Sequence, residues 1–189
     1  RIPITDMDAY KERLERMIER SREFLRPLMN RARTAPKSIV LPDGTNPKVL
    51  RAAQILVDEG ICRPILLGEQ WKIEKRAADA NVDITGMEIV EVTSSPRFDE
   101  LADKLWKVRQ RKGYTRQRAR QMLATPTYFG CMMVKEGLAE GLVGGLDVPY
   151  KDTIRPALQT IGADPAAGAV SGTYAMRSEE HTSELQSPY

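Results

Sequence analysis

The sequence predicts an α/β fold with a mostly parallel sheet, and three observations predict it. Short apolar runs at 38–41, 64–67 and 88–92 are spaced through the first half of the chain. Segments of helical period, with charged residues between the apolar ones, separate them. Turn and cap residues stand at the joints: Pro42-Asp-Gly-Thr after the first run, Asn46-Pro47 before the first intervening helix, and Gly60 after it. Strands that alternate with helices of about 10–15 residues build βαβ units and hence a parallel sheet.

The elements follow in order. Residues 6–35 carry Ala9, Leu14, Met17, Ile18, Phe24, Leu25 and Leu28 at helical intervals, so this segment reads as a connector helix with one apolar face, kinked or divided at Pro27. Lys37-Ser-Ile-Val-Leu-Pro is the first strand and 46–59 the first core helix, with Asn46 as cap and Pro47 as first helical residue. Pro64-Ile-Leu-Leu-Gly is the second strand, 69–80 the next helix, and Glu88-Ile-Val-Glu-Val-Thr the third strand. Helices are expected at 97–111, 115–124 and 126–136, with Thr115 and Thr125 as caps. Gly141-Leu-Val-Gly-Gly-Leu reads as a buried strand entering a glycine turn, followed by a helix over 152–161 and a further strand at 167–172.

Composition narrows the function classes. The chain has 189 residues, 41% hydrophobic and 29% charged, which supports a packed core. No run approaches the roughly 18 apolar residues of a membrane span. The opening Arg-Ile-Pro-Ile-Thr-Asp has no apolar targeting core and no Met, so the sequence is expected to begin inside a longer protein. Cys62 and Cys131 stand far apart with one His in the whole chain, which supports neither a metal site nor a disulfide framework and fits a reducing cytoplasm. Residues 177–187, Arg-Ser-Glu-Glu-His-Thr-Ser-Glu-Leu-Gln-Ser, match the translation of a common sequencing adapter, and 177–189 is read as a non-native tail. The alternative is a native polar tail; on the first reading His181 carries no mechanism.

Three features could carry chemistry. Gly144 and Gly145, with Asp147, follow a strand and precede Asp152-Thr153-Ile-Arg155, so a ligand could approach the backbone and an anion could meet helix amides. The competing reading is a tight strand-to-helix turn with a solvated arginine. The spacing is neither GxGxxG nor a Walker motif. Lys104, Lys107, Arg109, Arg111, Lys112, Arg116, Arg118 and Arg120 form a basic run without an acid, suited to phosphate or nucleic acid, or simply to a solvated helix face. Only Trp106 and Tyr114 interleave it, which is poor equipment for stacking on single strands. Asp43, in the turn after the first strand, lies at the sheet edge where ligands bind in open parallel sheets, or simply forms a β-turn.

Taken in order, these segments resemble the phosphate acetyl/butyryl transferases. The resemblance rests on Ser38-Ile-Val-Leu-Pro-Asp-Gly with Val49-Leu-Arg-Ala-Ala, Arg63-Pro-Ile-Leu-Leu-Gly, Val108-Arg-Gln-Arg-Lys-Gly, Tyr128-Phe-Gly-Cys-Met-Met-Val, Gly141-Leu-Val-Gly-Gly and Asp152-Thr-Ile-Arg-Pro-Ala-Leu-Gln, over about 37–176. It implies a three-layer α/β/α sandwich of the phosphotransacetylase type, incomplete here. The segment 1–36, with Asp6-Met-Asp-Ala-Tyr-Lys-Glu-Arg-Leu and Leu25-Arg-Pro-Leu-Met-Asn-Arg-Ala-Arg, is similar to the linker helix of bacterial NADP-dependent malic enzymes that carry such a domain at their C-terminus.

The resemblance implies an acetyl-CoA-responsive regulatory and oligomerising domain. Malate oxidation, with its NADP and divalent metal, would lie upstream. A stand-alone phosphate acetyltransferase is the alternative and a nucleic-acid-binding module the remote one. The expected ligand is acetyl-CoA, CoA or acetyl phosphate, in a cytoplasmic homo-oligomer with no nucleic-acid or membrane partner. Arg109 and Arg155 stand where the family's anion-binding arginines occur, and Asp43, Gly144, Gly145, Asp152 and Thr153 complete the implied phosphate/CoA-binding set. No residue is assigned a catalytic or metal-binding role within this chain. Where transacetylases carry a His/Thr-Thr-Ala-Asp-type run, this chain has Val148-Pro-Tyr-Lys-Asp-Thr, which favours ligand sensing over acyl transfer.

Overall fold

A computed structural model describes residues 26–163, and Asn30–Ala163 form one compact unit, the one described below. Most of the connector helix, the strand expected at 167–172 and the tail at 177–189 lie outside the described residues. The helical stretch 26–34 is α1. Then come β1 (Lys37–Leu41), α2 (Pro47–Asp58), β2 (Cys62–Leu67), α3 (Gln70–Ala80) and β3 (Glu88–Val90). They are followed by α4 (Phe98–Arg109), a 3-10 turn (Gln110–Lys112), α5 (Arg116–Leu123), α6 (Pro126–Lys135), β4 (Gly141–Leu142) and α7 (Tyr150–Thr160).

The four strands run parallel in the order β3-β2-β1-β4. Helices cover both faces, giving three α/β/α layers, and the strand alternation shows why. Val40, Ile65 and Leu67 point to one face, where they pack with Leu101, Leu105, Leu123, Phe129 and Met132 from α4, α5 and α6. Leu41 and Leu66, one residue out of step, point to the other and pack with Leu50 and Ala53 of α2 and Ile73 and Ala77 of α3. A strand covered on both faces has to be apolar at consecutive positions, which is why Pro64-Ile-Leu-Leu reads as an unbroken run and is buried throughout.

Helix ends follow their sequence signals closely. Asn46 accepts from the Lys48 N–H at 2.8 Å, with Pro47 at the first helical position, and Thr115 accepts from the Arg118 N–H at 3.1 Å. Thr125 occupies the cap position of α6 but makes no side-chain cap bond; there Pro126, with no N–H to satisfy and φ preset, supports the helix start.

Two strands are shorter than their sequences suggest. β3 stops at Val90 instead of running to Thr93, and β4 is two half-buried residues, with 143–146 exposed. Both are outer strands among the described residues, each paired on one side only, so neither has a second neighbour to extend its ladder. α7 starts two residues before the expected Asp152, because Pro149 sets the backbone for the first turn and its carbonyl accepts the Asp152 N–H at 2.8 Å. Among the described residues, no helix is long and apolar enough to cross a membrane.

Candidate functional site

The strand order has one reversal point. From β1 the chain moves outward to β2 and β3, then returns to place β4 on the other side of β1. Loops leaving adjacent strands in opposite directions open a crevice at their C-terminal ends, where ligands settle in open α/β sheets. Here the crevice lies between the turn after β1 (42–46) and the loop after β4 (143–149).

Glycine is required in that loop. A Cβ on Gly144 would lie 2.5 Å from Pro42 Cγ, and Gly145 has φ +104°. The Asp43 carboxylate spans the crevice: its Oδ2 accepts the N–H groups of Gly145 and Leu146, each at 3.1 Å. Beside it, Asn46 Nδ2 donates to Asp147 Oδ1 at 2.8 Å, so two side chains from the first turn hold the glycine loop. Beneath the loop sits Thr153 of α7, whose Oγ1 is buried and has no hydrogen-bond partner among the described residues. A Cβ on Gly145 would come within 3.0 Å of that oxygen. The Gly145 and Leu146 amides are thus already satisfied, and an anion could take them only by displacing a carboxylate. Asp43→Ala leaves two amides without their acceptor. We expect it to destabilise the fold by about 1–3 kcal/mol, read as a lower denaturation midpoint.

The arginines gather elsewhere, on the α4–α7 side of the sheet. A cavity of about 440 Å³ is lined by Tyr114, Arg118, Thr125, Tyr128, Arg155 and Gln159, among others. The Arg109 guanidinium stacks on the Tyr114 ring at 4.9 Å, and its Nε is buried with no hydrogen-bond partner among the described residues. Tyr128 donates its hydroxyl to Gln159 Oε1 at 2.7 Å. Burial pushes the Tyr128 phenol above its ordinary range and Tyr114 adds to this, while the fields of Arg155, Arg109 and Arg118 oppose it. Three guanidiniums therefore act on one hydroxyl. None of the three forms an ion pair among the described residues.

Three other cations of the run are engaged with carboxylates or rings. Lys104 bridges Glu100 at 2.7 Å and Glu136 at 2.6 Å. Arg120 pairs with Asp99 at 2.5 Å and lies 5.4 Å from the Phe98 ring, and Arg116 lies 4.5 Å from the Trp106 ring. Lys107, Arg111 and Lys112 have no ion pair among the described residues either, so it is their place at or beside the cavity that sets Arg109, Arg118 and Arg155 apart.

Comparison with known proteins identifies the frame in which this geometry sits. The sequence model of the phosphate acetyl/butaryl transferases matches residues 23–185. The chain belongs to that family. A phosphate acetyltransferase of Thermoanaerobacterium thermosaccharolyticum is 39% identical over 153 residues, 81% of this chain and 46% of that protein. The NADP-dependent malic enzyme of Escherichia coli K12 is 36% identical over 154 residues, 79% of this chain and 20% of that protein. The EutD phosphotransacetylase from Staphylococcus aureus superposes with a TM-score of 0.70 at 35% identity, covering 76% of this chain and 43% of that one. The chain thus spans less than half the length of these relatives.

Within this phosphate acetyl/butaryl transferase chain, the residues singled out in the sequence fall into two groups. Asp43, Gly144, Gly145 and Thr153 meet at the crevice, while Arg155 lines the helical cavity and Arg109 lies beside it, stacked on the lining residue Tyr114. Asp152 is exposed in the first turn of α7. Sequence reasoning did not single out Tyr114, Tyr128 or Gln159, nor Arg118 apart from its run. The available signal was spacing: Arg155 and Gln159 are one helical turn apart, so they share a face of α7.

Proposed function

We propose that this domain binds acetyl-CoA, CoA or acetyl phosphate by their phosphate groups at the arginine cavity, as the metabolite-responsive domain of an NADP-dependent malic enzyme. One observation carries the binding part: Arg118 and Arg155 line a polar cavity without carboxylate partners, and Arg109, stacked on the lining residue Tyr114, keeps a buried, unanswered N–H donor. A guanidinium stays charged at every physiological pH and offers paired donors that fit a phosphate. Leaving such a donor buried and unanswered costs free energy that a phosphate oxygen would recover.

Two sequence features support the regulatory assignment. The segment 1–36 is similar to the malic-enzyme linker, and Val148-Pro-Tyr-Lys replaces the hydroxyl-bearing run of the transacetylases before Asp152. On this reading malate oxidation, with its NADP and metal, would belong to another region of the parent protein.

The similarity to curated phosphate acetyltransferases supports a second reading. There the CoA thiolate attacks the carbonyl carbon of acetyl phosphate. The C–S bond forms, the bond from carbonyl carbon to phosphate oxygen breaks, and inorganic phosphate leaves under the arginines' charge. Assays of the full-length parent separate the two. Malate-dependent NADPH formation that changes with acetyl-CoA is the expected result. Acetyl-CoA formation from acetyl phosphate without malate oxidation would establish the second reading, and a parent with neither response would sink both.

A further inference from the structure

A second cleft lies on the α2–α3 side of the sheet. It measures about 570 Å³, within the range of small-molecule sites, and its lining includes Trp71, Lys72, Lys75, Arg76, Asp79 and Asp147. It opens beside the crevice between β1 and β4, since Asn46 and Asp147 belong to the two loops that form that crevice.

Its aromatic wall is unusual. Trp71 is 59% exposed, a large ring left in water instead of folded onto the core. The ring is nonetheless held in place. Its N–H donates to Glu69 Oε2 at 2.9 Å, and the same carboxylate binds the Lys72 ammonium, which lies 5.4 Å from the ring centre. Helical spacing puts Lys75 one turn beyond Trp71 and Arg76 one turn beyond Lys72, so indole and cations share one face of α3. Neither Lys75 nor Arg76 has an ion-pair partner among the described residues. Opposite them stands the first turn of the twelve-residue α2.

We propose that this cleft binds a purine nucleoside monophosphate, with the base stacked on Trp71 and the phosphate held by Lys75 and Arg76. A bare phosphate would account for the cations but not for a fixed, exposed indole; a neutral ring would leave the cations unused. Asp79 and Asp147 can accept hydrogen bonds from ribose hydroxyls. They also keep the positive charge of the cleft low, which disfavours a triphosphate. The site is separate from the arginine cavity and does not depend on the ligand bound there.

Equilibrium binding of AMP to the chain tests it. Stacking and charge contacts of this kind predict about a tenfold or greater loss of affinity in Trp71→Ala and in Lys75→Ala/Arg76→Ala. Trp71→Phe, which keeps a ring, should recover most of the affinity, and Arg155→Ala should leave it unchanged. All these side chains are exposed, so the variants should melt like the parent chain. The proposal is overturned if AMP does not bind, if inorganic phosphate binds as tightly as AMP, or if Arg155→Ala abolishes AMP binding while Trp71→Ala leaves it intact.

Discussion

Replacing Arg109 or Arg155 by alanine is expected to lower the affinity for CoA proposed for this chain by about tenfold to a hundredfold, as titration calorimetry would read it. The size follows from charge-assisted hydrogen bonds, each worth roughly 1.5–3 kcal/mol when one partner is removed. Arg120→Ala is the control, because that guanidinium is already engaged with Asp99 and Phe98. It removes equal charge from the same helical region and should change affinity by less than about threefold, the range of a screened surface charge. Arg155→Lys separates charge from shape: an ammonium keeps the attraction but loses the planar fork, so it should recover part of the loss and not all of it. Equal weakening by all three alanine variants would mean a diffuse field, with no defined phosphate site.

Phe129→Ala has the largest expected effect on stability, a loss of about 3–5 kcal/mol. Phe129 heads the fully buried side chains by volume, at 1% exposure, and its ring lies in the cluster that joins α4, α5 and α6 to Val40, Ile65 and Leu67 of the sheet. Truncation removes that contact and leaves a void that the strands, fixed by their ladders, cannot collapse to fill. Total stabilities of single domains are only about 5–15 kcal/mol, so the variant would be close to unfolded at moderate denaturant. Ile55→Ala, at a position 57% exposed, should stay within about 0.5 kcal/mol of the parent chain. Urea midpoints of the two variants decide the matter.

The fold was legible where local chemistry and the buried pattern agree. Asn46-Pro47, Gly60 and Thr115 mark helix ends that the structure keeps, and Pro64-Ile-Leu-Leu announced a strand covered on both faces. What the sequence hid depends on partners distant along the chain. Gly141–Leu146 has the composition of a buried strand, yet among the described residues it pairs only with β1, and the strand ends at Leu142, with one further bond from the Val143 N–H to the Val40 carbonyl. Val143 is 64% exposed in consequence.

The candidate site was legible as residue types and illegible as an arrangement. Nothing local says that Asp43 will reach across 102 residues to the Gly145 amide, or that Tyr128 will reach Gln159 on another helix. The basic run shows the same limit. Eight cations look alike in sequence, and only the fold pairs Lys104 and Arg120 with carboxylates while it leaves Arg109 and Arg118 without them.

A crystal structure of the chain with CoA bound would decide whether the ligand's phosphate sits among Arg109, Arg118 and Arg155. Phosphate oxygens are expected about 2.7–3.2 Å from the guanidinium nitrogens of Arg109 and Arg155, with the Arg109 Nε–H donating to one of them. CoA bound elsewhere on the chain, with the Arg109 donor still unanswered, would contradict that placement.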